Sequence, residues 1–255
     1  MKSSKKFLLL GHNGYLGNFL NNEIDCDTLE GRNIFHNGKE YDFIINCISK
    51  TSVPYCEENP DLSLYSNAEV VLDIKKFYPN SFLINFSSYY VYDDINLCTE
   101  ESRTNNNLIY CKHKLLSESY NDYGVNFRVG KLFGNKNAFQ YRLTEKVLDS
   151  EELWLDEVKM NPTSVNCVSE IIKKIDVIKD YPGTYNLANQ GITSHFDYGI
   201  FIINHLKRDT KIHKLDSFDK PFSSHGNFVM SLEKICKFYR INSWQEDLTH
   251  YLSNL

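Results

Sequence analysis

The chain lacks any apolar run long enough to span a bilayer. It also lacks an excess of positive charge: 28 lysines and arginines stand against 33 aspartates and glutamates, a net −5. That balance argues against a general nucleic-acid binder. An anionic ligand must find local donors, not a global field. The seven cysteines include no C-x-x-C pair and are odd in number, and the eight histidines show no metal-ligand spacing. Disulfides and a zinc site are thereby disfavoured, and reduced thiols in the cytoplasm, with no metal, are expected. No internal repeat is visible, and the Asn-rich stretch Thr104 to Asn107 reads as a loop. The opening stretch, Met1 to Leu10, looks only superficially like a signal peptide. Its apolar part is short and Gly11-His12-Asn13-Gly14 follows at once, so it reads as a first buried strand.

What is present is an alternation of strand and helix patterns in a chain of 255 residues, enough for one substantial core or one core with a small lobe. Strands are expected at Lys6 to Leu10, Thr28 to Glu30, Tyr41 to Cys47, Ser81 to Phe86, Val125 to Leu132 and Thr184 to Leu187. Helices are expected at Tyr15 to Asn22, Asp61 to Phe77, Leu108 to Tyr120, from Gly134 through Leu148, Val168 to Ile178, Phe196 to Leu206 and Leu232 to Tyr239. Alternation of this kind implies an α/β protein, a Rossmann-type doubly wound parallel sheet covered on both faces. After about Asp149 the pattern loosens, which suggests a small interleaved C-terminal substrate lobe. Residues 1–135 and 165–188 are assigned to the dinucleotide-binding part, and residues 136–164 and 189–255 to the lobe.

Two motifs carry the chemistry. Gly11, Asn13, Gly14, Tyr15, Leu16 and Gly17 form a glycine-rich turn straight after the first strand. Gly11 permits the tight turn, Gly14 the close approach of a pyrophosphate, and Gly17 the packing of the helix on the sheet. The helix N-terminus then offers N–H groups and a favourable dipole to phosphate. About a hundred residues later comes Tyr110-Cys111-Lys112-His113-Lys114. A four-residue spacing places the phenol and the ammonium on one helix face, where a cation favours phenolate and proton exchange. Cys111 and His113 inside the motif read as packing. Cys47, Ser49, Thr51 and Phe86 lie at strand ends that line the ligand crevice of an open parallel sheet, and Ser88 ends the strand before the Tyr110 helix. Arg32, just past the second strand, favours a 2′-phosphate, whereas Glu30 at the strand tip favours the 2′-hydroxyl of NAD. Both also read as solvated loop charges, and the balance leans to NADP(H) over NAD(H).

The chain resembles the extended short-chain dehydrogenase/reductase family, and within it the dTDP-4-dehydrorhamnose reductase group. Asp42-Phe43-Ile44-Ile45-Asn46-Cys47 resembles that group's D-x-V-I-N-x strand. The stretch Thr51 to Pro60 resembles its T-A-V-D-x-A-E-x-x-P loop, with Asn67 on the asparagine of the following helix. Ser87 to Asp93 resembles S-T-D-Y-V-F-D. More diagnostic are Leu155 to Thr163, similar to V-x-D-Q-x-G-x-P-T, and Gly183 to Ala188, similar to G-x-Y-H-x-A. The resemblance implies a catalytic set of Ser88, Tyr110 and Lys114. Tyr110 is then the proton donor, Lys114 holds the nicotinamide ribose and lowers the phenol pKa, and Ser88 polarises a keto group. It implies reduction of the C4 keto group of a nucleoside-diphosphate 4-keto-6-deoxy sugar, in deoxysugar biosynthesis for surface polysaccharide. Ser88, Tyr89, Lys131, Asn137 and Arg142 become candidate substrate contacts, with Lys131, Arg142 and Lys146 placed to meet a diphosphate or, equally, to be surface charges. A homodimer is compatible with the resemblance, and no membrane or nucleic-acid partner is expected.

The chain departs from that pattern at Tyr89, where an aspartate is usual, and at Glu157, where a glutamine is usual. It also departs at Ser223 to Met230, where the arginine of R-P-x-x-S is missing. A diverged sugar specificity is the expected consequence. Two alternatives stay open: an epimerase/reductase of GDP-fucose synthase type, for which Cys98 and His195 are the available acid/base candidates, and a non-catalytic dinucleotide-binding regulatory subunit.

Overall fold

The computed structural model describes residues 5–29, 38–93, 95–104, 107–136, 143–215 and 227–255. Its first part runs β1 (Phe7–Leu10), α1 (Tyr15–Glu23), β2 (Cys26–Thr28) and β3 (Phe43–Asn46). Two short helices, α2 (Val53–Glu58) and α3 (Pro60–Leu64), lead through a π turn (Tyr65–Glu69) into α4 (Val70–Phe77) and β4 (Phe82–Ser88). Then follow β5 (Ile95–Cys98), α5 (Ile109–Tyr120), β6 (Val125–Val129), β7 (Leu132–Phe133) and α6 (Leu143–Asp149). The chain continues through β8 (Glu152–Leu155), β9 (Lys159–Met160), β10 (Thr163–Ser164), α7 (Val165–Lys173) and β11 (Gly183–Leu187). Last come β12 (Thr193–Ser194), α8 (His195–Leu206), β13 (Lys211–Lys214), β14 (Phe228–Met230), α9 (Glu233–Cys236) and α10 (Trp244–Leu252).

Six strands form one sheet in the order β11-β6-β4-β3-β1-β2, with every pair parallel. Strand residues alternate between two faces, and here both faces are apolar. Phe7, Leu9, Ile45 and Phe127 pack under α1 and α7, while Leu8, Leu10 and Ile44 pack under α4. This is why β1 and β3 are buried along their whole length. The strand order turns back at β1, so the loops leaving β1 and β3 flank a switch point and open on one crevice. Across the middle of the sheet Asn46, Asn85 and Asn126 stand in register. Asn46 Nδ2 donates to Asn85 Oδ1, and Asn85 Nδ2 to Asn126 Oδ1, each at 3.0 Å.

A second cluster, separate from the sheet's, joins α6, α8 and α10 through Val147, Tyr198, Ile202 and Leu248. Beside it β12, β9, β14 and β5 form a four-stranded sheet. Ile235, Tyr239 and Ile241, from the segment assigned by sequence to the lobe, pack in the large sheet's core.

The doubly wound parallel sheet agrees with expectation, and several boundaries differ. The second strand is Cys26–Thr28, two residues earlier than expected. The stretch expected as one strand to Leu132 breaks after Val129, and Leu132–Phe133 pairs instead with β10. Residues 53–58, read as loop, form α2, because Ser52 caps it through the Tyr55 N–H and Pro54 stands in its first turn. The helix expected over Leu232 to Tyr239 is the short α9, and α10 was not foreseen. Among the described residues no helix is long and apolar enough to cross a membrane.

Candidate active site

The turn after β1 is set by two close approaches. Gly11 has φ +79°, and a Cβ there would lie 2.7 Å from the Cys47 carbonyl carbon; a Cβ on Gly17 would lie 2.2 Å from the Gly11 carbonyl oxygen. The turn therefore folds α1 back against β1 and presses it on the loop after β3. Gly14 N-caps α1 without a side-chain bond, and the first turn carries no acid. A set of first-turn N–H groups with no competing carboxylate fits the diphosphate of a dinucleotide.

From this turn a cavity of about 550 Å³ runs along the carboxyl ends of β1, β3, β4 and β6 to Met160 on β9 and Phe228 on β14. Gly14, Tyr15 and Leu16 line its first end, and Cys47, Ser49, Thr51 and Phe86 its wall. The loop after β3 is held from behind by Asn67, in the π turn. Asn67 Oδ1 accepts from Ser49 Oγ at 2.7 Å and from Lys50 N at 2.8 Å, and its amide donates to Lys50 O and Ser63 Oγ. A π turn beside a ligand loop is a recurrent arrangement, and here it points the asparagine at the loop.

Ser88, at the end of β4, and Tyr110 and Lys114, one turn apart on α5, line the same cavity. Ser88 Oγ accepts from Tyr90 N at 3.2 Å. Lys114 Nζ donates to Phe86 O at 2.9 Å, which brings α5 onto β4 at the level of the cavity. Burial pushes Lys114 down to about 8, with Glu118 opposing. Burial holds Tyr110 well above the usual phenol range, opposed by its hydrogen bond with Ser88. The expectation that this phenol is lowered is thus reversed in the protein alone, where removal from water outweighs its partners.

At the far end the wall is aromatic. Tyr89, Tyr90 and Phe228 pack together, with Tyr90 and Phe228 stacked at 5.3 Å between ring centres. Lys131, after β6, also lines this end. So do Asp156 and His195, which sequence reasoning did not assign to substrate: Asp156 stood inside a motif and His195 only in the acid/base pair of the epimerase/reductase alternative. Nor were Tyr90, Val158, Met160 and Phe228 foreseen; besides Tyr89 and Lys131, the stretch Asp156 to Thr163 gave a signal for this side of the cavity.

Of the other candidates, Gly11, Asn13 and Gly17 belong to the turn and do not line the cavity. Arg32, Asn137 and Arg142, with Glu30, lie outside the described residues. Lys146 is exposed on α6, away from the lining. Cys98 is fully buried and does not reach the cavity with His195. Cys111 donates to Tyr90 O and His113 Nδ1 sits 2.9 Å from Ser63 Oγ, both packing groups as expected.

The fold is similar to that of dTDP-4-dehydrorhamnose reductase from Clostridium acetobutylicum, 23% identical with a TM-score of 0.86 over 98% of this chain and 99% of that one. The Bacillus anthracis dTDP-4-dehydrorhamnose reductase, solved in complex with NADP, is 18% identical with a TM-score of 0.84 over 98% of this chain and 99% of that one. RMD from Pseudomonas aeruginosa, complexed with NADPH, is 13% identical with a TM-score of 0.77 over 98% of each chain. At these identities the likeness is one of fold. No curated protein matches the chain in sequence. The glycine turn, the serine strand end and the tyrosine-lysine helix nevertheless sit in one sequence-level match: residues 5–255 fit the model of the RmlD substrate binding domain, and the chain belongs to that family.

Proposed function

We propose that the chain is an NAD(P)H-dependent reductase of the C4 keto group of a nucleoside-diphosphate 4-keto-6-deoxy sugar, acting in the cytoplasm in deoxysugar biosynthesis. The observation that carries this reading is the convergence of Ser88, Tyr110 and Lys114 on a cavity that begins at the α1 N-terminus. When bound, the nicotinamide cofactor supplies the hydride. Tyr110 gives its proton to the carbonyl oxygen as the C4–H bond forms, leaving an alcohol and a phenolate. A phenol held above its usual range is fully protonated near neutral pH, as a proton donor must be. Ser88 donates to the same oxygen and then to the developing alkoxide. Lys114, cationic below about pH 8, would hold the ribose of the cofactor and stabilise the phenolate. The two neighbours solved with NADP and NADPH support a phosphorylated cofactor, and Arg32 is the residue we assign to its 2′-phosphate.

The test follows loss of NADPH and NADH absorbance with dTDP-, GDP-, UDP- and CDP-4-keto-6-deoxyhexoses, in wild type and Tyr110→Phe. Turnover of one sugar with NADPH, reduced about 100-fold or more in the variant while NADPH still binds, is expected. Tight cofactor binding with no turnover across the panel would overturn the reductase reading in favour of a binding subunit.

A further inference from the structure

One end of the cavity holds polar groups that ketone reduction does not use. Lys131 Nζ lies 3.0 Å from His195 Nε2, and His195 Nδ1 lies 2.6 Å from Asp156 Oδ1. The three come from separate places: Lys131 follows β6, Asp156 follows β8, and His195 opens α8. Asp156 is also anchored through its backbone, its carbonyl accepting from Phe196 N at 3.0 Å.

Donor arithmetic sets the protons. An ammonium only donates, so Nε2 of His195 accepts from it. The single ring proton is then on Nδ1 and goes to the Asp156 carboxylate. The row reads carboxylate, neutral imidazole, ammonium. An imidazole whose lone pair is turned to a lysine is poorly placed to take a proton from a substrate carbon. It is well placed to hold a cation still. A lysine on its flexible stem otherwise loses much rotamer freedom on gripping a ligand, and fixing it beforehand removes part of that cost. Among the described residues lining the cavity, Lys114 and Lys131 are the cations and Asp156 the sole carboxylate. The balance therefore favours an anion.

We propose that Asp156 and His195 are positioning residues that hold the Lys131 ammonium against an anionic oxygen of the substrate. This rests on the nucleotide-sugar reading of the cavity. That oxygen comes either from the diphosphate or from a carboxylate on the sugar, and the chemistry of recognition is the same for both.

The test is calorimetric titration of the NADPH-loaded protein with thymidine, dTDP, inorganic pyrophosphate, UDP-glucose and UDP-glucuronate. The variants are Lys131→Met, His195→Phe, their double mutant, and His195→Gln, whose amide can both accept from Lys131 and donate to Asp156. Lys131→Met and His195→Phe are each expected to weaken the charged probes about tenfold or more, as loss of a charge-assisted bond does, and to leave thymidine unchanged. His195→Phe should have no further effect once Lys131 is methionine, and His195→Gln should recover most of the loss. An effect on dTDP and pyrophosphate places the anion in the diphosphate. A wild-type preference for UDP-glucuronate over UDP-glucose that Lys131→Met erases places it on the sugar. Additive losses in the double mutant, equal loss for thymidine, or no charge-dependent binding in the wild type would overturn the proposal. Binding is read separately from turnover, so a failed reductase assay with intact Lys131-dependent binding would sink the reductase and leave the anion site standing.

Discussion

Replacing Lys114 by methionine is expected to stabilise the fold while removing the chemistry. The lysine is buried, and burial takes its ammonium from the usual 10.5 down to about 8. Near neutral pH that drop sets roughly 3 kcal/mol against the charged form. Methionine fills similar space with no charge to desolvate. Against the gain stands the bond from Nζ to Phe86 O at 2.9 Å, whose loss costs about 1 kcal/mol. The net, about 2 kcal/mol, corresponds to a Tm higher by about 4 to 8 °C for a chain of this size. The sign with pH follows from a folded pKa that lies below the unfolded one. The penalty is full below about pH 8, and it fades as pH rises towards 10.5, above which the lysine is neutral in both states. The advantage of Lys114→Met should therefore shrink over that interval. Circular dichroism melts of both proteins without cofactor, from neutral pH to about pH 10.5, measure it. A variant that melts below wild type near neutral pH, or a gap that does not change with pH, refutes the reasoning.

The same lysine predicts that kcat/KM stays level near neutral pH and falls as pH rises through about 8, because the neutral amine no longer supports the phenolate; a profile flat well beyond that point would contradict it. Gly17→Ala brings a Cβ to 2.2 Å from the Gly11 carbonyl, so NADPH affinity should fall at least tenfold and the melting temperature should drop, whereas unchanged titrations would remove the turn from the site. Arg128 meets Glu118 through Nε at 2.9 Å and Nη2 at 2.6 Å, and both side chains are buried. Arg128→Met leaves the carboxylate unpaired and is expected to cost about 3–5 kcal/mol in urea unfolding. A loss under about 1 kcal/mol would mean that solvent reaches the pair.

The glycine turn and the tyrosine-lysine pair were legible because each depends on spacing within one turn or one helix. The parallel sheet was legible because strands apolar on both faces read as continuous runs such as Phe43 to Ile45. β2 was misplaced because it is three residues long and only half-buried, so no run marks it. The break after Val129 escaped notice because Leu132 and Phe133 continue the apolar pattern while pairing with β10. The far end of the cavity was legible only in part: Tyr89 and Lys131 were candidate contacts, whereas their partners there were not. Lys131, Asp156 and His195 are brought together from two loops and the start of α8, and Phe228 reaches Tyr89 and Tyr90 only because β14 pairs with β5. No local periodicity encodes such meetings. Asn67 was picked out by resemblance, and its reason, a brace on the loop after β3, became visible only in three dimensions.

The row of amides across the sheet has a consequence for how this chain can change over time. Asn46, Asn85 and Asn126 are each almost wholly enclosed, and each amide satisfies its neighbour. A single change to an aliphatic residue strands a donor or an acceptor in the interior, and the row is tied further to Ile48 N, Ser117 Oγ and Asn121 Nδ2, which lose a partner even if all three asparagines are exchanged together. The three positions and the buried Ser117 and Asn121 thus behave as one heritable unit. They also act as a key for strand order, since sliding β4 by one residue would set Asn85 opposite apolar neighbours on both sides. Drift on either flank of the sheet is free to repack side chains. Drift along this line has to move the network together.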